Sequence, residues 1–240
     1  MIDLHCHILP AIDDGPQNIE GSLDMCRAAV SDGIKTIVAT PHFKPGLYQL
    51  PTEAGVRTRL ELLNEQLLLE GLNLKILPGA EVRLTSDIYA YLETEEFITL
   101  NSTGKYMLTE FPMGSLPDDW EGLLAGLIER GVTPVIAHPE RSDAFLSEPE
   151  LLYDVVRMGA LTQLTAESVT GAYGFDIQRF CEKLLRDDVA HVIATDSHSV
   201  EFRAPQLTDA VTVAASIIGE EKALALVTKN PEAIIKGDPL

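Results

Sequence analysis

Met1-Ile2-Asp3-Leu4-His5-Cys6-His7 opens the chain. A short apolar stretch that ends in two histidines reads as a buried strand, and a strand puts alternate residues on one face. His5 and His7 therefore point together, while Cys6 points away. Imidazoles that converge like this suit a divalent metal; two hydrogen-bonded histidines at a strand end are the plainer alternative. The rest of the chain favours the metal, because apolar stretches keep ending in the same residue types. Stretch 34–40 leads to His42, 74–82 carries Glu81, and 106–111 carries Glu110. Stretch 133–138 ends in His138, and 190–196 ends in Asp196 with His198 just beyond. Asp14 lies in the loop after the first stretch. Five of the six histidines fall at strand ends. His191, at the start of the last strand, reads as structural.

Between these strands, together with one more at 160–165, the pattern is helical. Asn18 reads as the N-cap of a helix that Gly33 ends, and Thr52 as the start of a long amphipathic helix that Gly71 closes. Further helices are expected near 86–95, 117–130, 149–158, 173–186, 205–218, 220–229 and 231–236. Seven strands alternating with helices imply a parallel sheet. Reactive groups at nearly every strand end imply closure, since all ends of a barrel meet at one mouth. No Gly-rich phosphate-binding signature of an open doubly wound sheet occurs. The expectation is an α/β chain folded as a seven-stranded (β/α)7 barrel, with a single domain over 1–240.

Composition narrows the function. The formal net charge is −19, which disfavours generic nucleic-acid binding. No run of about 18 apolar residues suggests membrane insertion, and no basic-then-apolar leader opens the chain. Cys6, Cys26 and Cys181 are an odd set without a CxxC, which suits reduced thiols and a cytoplasmic setting. A cysteine-based phosphatase needs C-x5-R; the sixth residues after these cysteines are Ile12, Asp32 and Asp187, so that mechanism is excluded by spacing.

His5, His7, Asp14, His42, Glu81, Glu110, His138, Asp196 and His198 exceed the needs of one ion, so two or three bridged divalent metals are implied. Their N/O character suits Mn, Zn or Fe. The ordered set His-x-His, Asp14-Gly15, Thr40-Pro41-His42, Gly79-Ala80-Glu81, Glu110-Phe111-Pro112, His138-Pro139-Glu140-Arg141 and Asp196-Ser197-His198 resembles the polymerase-and-histidinol-phosphatase (PHP) superfamily. Within it, the chain resembles the bacterial protein-tyrosine phosphatases of the CpsB/CapC type, which act on capsule and exopolysaccharide tyrosine kinases. The resemblance runs the whole length and implies a distorted barrel with a three-metal site, Mn foremost.

Carried over, His5, His7, Glu81 and Asp196 would hold one metal. Glu81, Glu110 and His138 would hold a second, and Asp14, His42 and His198 a third. Arg141 and Arg203 would grip phosphate, as guanidinium forks do. The implied reaction is attack of a metal-activated water on phosphotyrosine in the tail of a bacterial tyrosine kinase. Asp3 and Asp13 could support the ligands, and Phe43, Tyr48, Phe111 and Tyr173 could line an aromatic groove, with simple packing the plainer alternative for each. Histidinol phosphate or another small phosphoester remains a rival substrate, and a metal-stabilised kinase-docking module a non-enzymatic rival. An amidohydrolase reading lacks its usual lysine, since no strand end offers one.

Overall fold

The computed structural model describes residues 1–45 and 50–240, with residue 96 described by its backbone alone. Among them are nine strands: β1 (Ile2–Cys6), β2 (Thr36–Ala39), β3 (His42–Phe43), β4 (Lys75–Pro78), β5 (Glu81–Arg83), β6 (Tyr106–Glu110), β7 (Thr133–Ala137), β8 (Leu161–Thr165) and β9 (Val192–Ala194). All the pairings are parallel. They form two sheets, one ordered β1-β2-β4 and the other β3-β5-β6-β7-β8-β9.

Seven strands were expected from the sequence, and the difference has a local cause. Stretches 34–43 and 74–83 each break once, side by side. Ala39 opposite Pro78 is the last pair of the smaller sheet, and His42 opposite Glu81 is the first pair of the larger one. Pro41 and Pro78 have no N–H to give to a ladder. Gly79 lets the two backbones approach: a Cβ there would lie 2.6 Å from Val38 Cγ1 and 3.2 Å from the Ala39 carbonyl oxygen. Both chains step three residues and resume together, and the step carries His42 and Glu81 to the opening of the second sheet.

The outer edge of β1 meets the chain beyond β9. Asp196 N donates to the His5 carbonyl and His7 N to the Ser197 carbonyl, both at 2.8 Å, and Cys6 and Ser197 form an isolated parallel bridge. Buried Asp3 fastens this seam. It accepts from Thr195 N at 3.0 Å, Thr195 Oγ1 at 2.5 Å and His5 N at 3.2 Å. Burial pushes its carboxyl up to about 6 against those hydrogen bonds.

The apolar core falls into two clusters. The smaller joins Leu4, Val38, Leu77, Leu108, Val135 and Val192, from strands of both sheets, to Leu100 and Ile234. The larger joins alternate strand residues such as Ile37, Ile76, Met107, Ile136 and Ile193 to the helices. Period-two alternation thus serves two apolar layers. The three cysteines are free and buried within the larger cluster.

Capping follows the sequence. Asn18 accepts from Gly21 N and Thr52 from Gly55 N, and left-handed Gly33 and Gly71 close the helices Ile19–Asp32 and Glu53–Glu70. Such caps contribute on the order of 1 kcal/mol each. The helix expected at 86–95 shrinks to Ile88–Tyr91, and two short unexpected helices, Asp143–Ser147 and Ala166–Thr170, follow β7 and β8. No helix among the described residues is long and apolar enough to cross a membrane.

Candidate metal centre

β1 delivers His5 at its end and His7 just beyond. Their Nε2 atoms lie 3.2 Å apart, and the two residues are essentially fully buried. Glu81 begins β5 and is equally buried. One of its oxygens faces His138 Nε2 at 2.7 Å and His5 Nε2 at 3.6 Å; the other faces His42 Nδ1 at 2.6 Å and His7 Nε2 at 3.6 Å. Asp196, two residues beyond β9, turns Oδ1 toward His5 and His7 at 3.3 and 3.5 Å. Exposed Asp14 faces His42 and His198, each at 3.3 Å. All nine ligand candidates therefore gather around one mouth.

Their ligating atoms fall into four tight sets: His7, Asp14, His42 and His198; His5, His7 and Glu81; His5, His138 and Asp196; and His42, Glu81 and Glu110. Glu110 thus sits with His42 and Glu81, and His5, His7, His42 and Glu81 are each shared between two sets.

The outer nitrogens of three imidazoles are anchored. His7 Nδ1 donates to Asp13 Oδ2 at 2.8 Å, and His198 Nδ1 to the Asp196 carbonyl at 2.9 Å. His5 Nδ1 pairs with Gln163 Oε1 at 2.8 Å. Each anchor fixes the proton on Nδ1 and leaves Nε2 facing the centre, as in metal-ligating histidines. The inner atoms, by contrast, are poorly satisfied. His42 Nδ1 and Glu81 Oε2 approach to 2.6 Å without hydrogen-bonding alignment, and both atoms are buried without a hydrogen-bond partner. Orphaned buried atoms are rare in folded proteins; here their arrangement fits divalent ions.

Electrostatics agree. Burial opposes ionisation of Glu81, yet the field of His5, the hydrogen bond from His138 and the close imidazole of His42 hold it well below the usual carboxylate range. Burial likewise opposes ionisation of Asp196, which His5, His7 and His138 hold well below its ordinary value. Burial also opposes protonation of His7, His42 and His138, but carboxylate partners raise all three. Without an ion, the cluster balances anionic carboxylates with protonated imidazoles. A bound cation would take over that role and release the protons.

Arg141 and Arg203 both reach Asp196 Oδ2, Arg141 at 2.6 Å. Asp196 therefore stands between the histidines on one side and two guanidiniums on the other. His138, Asp196 and Arg203 all have left-handed backbones, with φ of 36°, 51° and 51°. For residues with a side chain this is strained and clusters at functional sites. Gly15 is required by close approach, since a Cβ would lie 2.3 Å from the His7 carbonyl oxygen.

Several supporting residues were not evident from sequence. Gln163 lies in β8 between Thr162 and Leu164, a strand that also carries Thr165, and so gave no signal of its own. Lys44, one residue past β3, places Nζ 3.0 Å from Glu110 Oε1 and 3.4 Å from His42 Nε2; a strand end does offer a lysine. Arg83 Nε lies 3.8 Å from Glu110. Of the aromatic residues that could line a groove, Phe43 and Phe111 are buried in the core against Phe97 and Phe145. Tyr48 lies outside the described residues. Tyr173 does reach the mouth, where the Arg141 guanidinium lies 5.2 Å from its ring centroid.

Imidazoles and carboxylates gathered at one mouth of parallel strands, with two guanidiniums beside them, make this an α/β protein whose donor set suits divalent metal. Residues 1–236 match the family model for capsular polysaccharide synthesis, CpsB/CapC, and the chain belongs to that family. It is 39% identical over 240 residues to the tyrosine-protein phosphatase YwqE of Bacillus subtilis, covering all of this chain and 93% of YwqE. It is 30% identical over 241 residues to the tyrosine-protein phosphatase CpsB of Streptococcus agalactiae, covering 98% of each. A crystal structure described for YwqE from Bacillus subtilis and CpsB from Streptococcus pneumoniae, as unique metal-dependent tyrosine phosphatases, superposes with a TM-score of 0.95 at 39% identity. It covers all of this chain and 96% of that one. Histidinol phosphate phosphatase from Lactococcus lactis shares the fold, with a TM-score of 0.60 at 14% identity over 92% of this chain and 93% of that one.

Proposed function

We propose that the chain is a metal-dependent protein-tyrosine phosphatase that hydrolyses phosphotyrosine on a bacterial tyrosine kinase controlling capsule or exopolysaccharide synthesis. The observation that carries this is the set of anchored imidazoles: His5, His7 and His198 hold Nδ1 outward, His5 and His7 presenting Nε2 to buried Glu81 and Asp196 and His198 presenting Nε2 to Asp14. Family membership supports phosphotyrosine as the substrate. Bound divalent ions, Mn foremost and two or three in number, would supply Lewis acidity and a water of lowered pKa.

The protein's own residues do the rest. Arg141 and Arg203 bind the phosphoryl oxygens and offset the charge that builds on them. Asp196 aims both guanidiniums through one oxygen while its other oxygen faces the metal ligands. Tyr173 supports Arg141 from below as a cation–π partner. The departing phenol has a pKa of about 10, so it leaves with less protonation than an alkyl alcohol needs.

We also read the two sheets as one distorted (β/α)7 barrel in a single domain. The backbone bonds between β1 and the chain beyond β9, and the apolar cluster shared by both sheets, support closure. On this reading the substrate is a kinase tail met in the cytoplasm.

Replacing His138 or Asp196 by alanine tests the site. Each variant is expected to bind fewer ions per chain and to lose phosphate release from a phosphotyrosine peptide by at least about a thousandfold, roughly 4 kcal/mol of activation energy. Wild-type ion content and rate in both variants would refute the assignment.

A further inference from the structure

A groove of about 450 Å³ runs outward from His198 and Asp14, beside the centre. Pro16 lines it on one side, and Val200 and Phe202 line it on the other. Phe202 is 81% exposed, unusual for a phenylalanine beside a polar centre. The turn that carries it is well defined: Phe202 N donates to Ser199 Oγ at 3.0 Å, and Ser197 Oγ donates to the Arg203 carbonyl at 2.5 Å. With Arg203 in a left-handed conformation, adjacent residues part company. Arg203 turns onto Asp196, and Phe202 turns out into the groove. The groove also touches Asp24 and Glu201. Asp24 is already paired with Arg27 at 2.7 Å, whereas Glu201 makes no ion pair among the described residues. The groove therefore has apolar walls and an acidic edge.

We propose that this groove is a subsite for the polypeptide next to the phosphotyrosine, and that it selects a lysine or arginine there. The inference rests on the phosphatase reading above. A Lys or Arg side chain has an apolar stem and a charged head, which complement the apolar walls and Glu201 respectively. Phe202 adds a ring face for the cation. The position follows from the chain: Phe202 is bonded directly to Arg203, so a residue adjacent to the phosphotyrosine meets Phe202 when its phosphate meets Arg203. A basic neighbour also offsets the repulsion between a phosphorylated peptide and a protein of net charge −19.

The test uses three phosphotyrosine peptides, identical except for Lys, Ala or Glu at the two positions either side of the phosphotyrosine. Para-nitrophenyl phosphate, too small to reach the groove, serves as the control. The lysine peptide is expected to exceed the glutamate peptide in kcat/KM by at least about tenfold, with the advantage shrinking as salt is added. Glu201→Lys is expected to reverse the preference, and Phe202→Ala to reduce it through KM. Both are expected to leave para-nitrophenyl phosphate turnover unchanged. Equal rates on the three peptides, or a lysine preference that survives Glu201→Lys, would overturn the subsite and leave the phosphatase reading standing. Failure to hydrolyse any of the four substrates would overturn both.

Discussion

The histidines at the centre are held from behind, and that is where single substitutions bear most directly on the chemistry. Gln163→Leu keeps much of the side-chain volume but removes the acceptor that orients His5. Loss of such an anchor typically weakens metal binding by about 10–100-fold. A metal titration of this variant is therefore expected to shift by that factor, with Gln163→Glu restoring affinity. An unchanged titration would show that His5 is oriented by other means. Arg141→Lys keeps the charge but loses the planar fork that matches two phosphate oxygens. The expected result is a rise of about tenfold or more in the inhibition constant for inorganic phosphate, with ion content unchanged. The ligand types were legible in the sequence because most of them lie in or just beyond an apolar stretch, whether the fold then makes that point a strand end, as at His5 and Glu110, or a strand start, as at His42 and Glu81. Gln163, Lys44 and Arg83 were not, because their roles depend on which strands become neighbours. Phe43 and Phe111 stayed open between groove and core for the same reason, since an aromatic residue beside a ligand reads alike whether it turns toward the mouth or into the core.

At the scale of elements, caps and terminators were readable while strand continuity was not. Asn18, Gly33, Thr52 and Gly71 act locally, and the chain shows each where its chemistry placed it. The breaks at Pro41 and Pro78 need both chains in view, because each break is possible only beside the other. His191 shows how a histidine outside the centre can serve an element. Its Nδ1 accepts from Thr162 N at 3.1 Å, joining the start of β9 to β8. Burial lowers its pKa below the ordinary 6.5. A depressed pKa means the folded state resists protonation. The stabilisation is thus fully present above about 6.5 and is lost as pH falls through the depressed folded value. Asn offers an acceptor at the same place and does not titrate. The denaturation midpoint of wild type is therefore expected to fall further than that of His191→Asn between pH 7.5 and 5.5. Parallel curves would remove His191 from the pH response.

Across the whole molecule, acidity and function are connected. Part of the −19 charge is surface, such as the carboxylates around Arg27. Another part is Asp14, Glu81, Glu110 and Asp196, drawn from four distant parts of the sequence into one mouth. Only long-range strand order brings them together, so the sequence shows the ligand set and the fold shows the centre. Relatives in the family are tyrosine-protein phosphatases, which makes phosphotyrosine the substrate to test at that centre. The most direct measurement is phosphate release by metal-stripped protein, before and after Mn is returned, on a phosphotyrosine peptide and on histidinol phosphate in parallel. Release from the peptide that appears with Mn, exceeding that from histidinol phosphate, is the expected result. Turnover of histidinol phosphate alone, or peptide turnover unaffected by removing the metal, would contradict it.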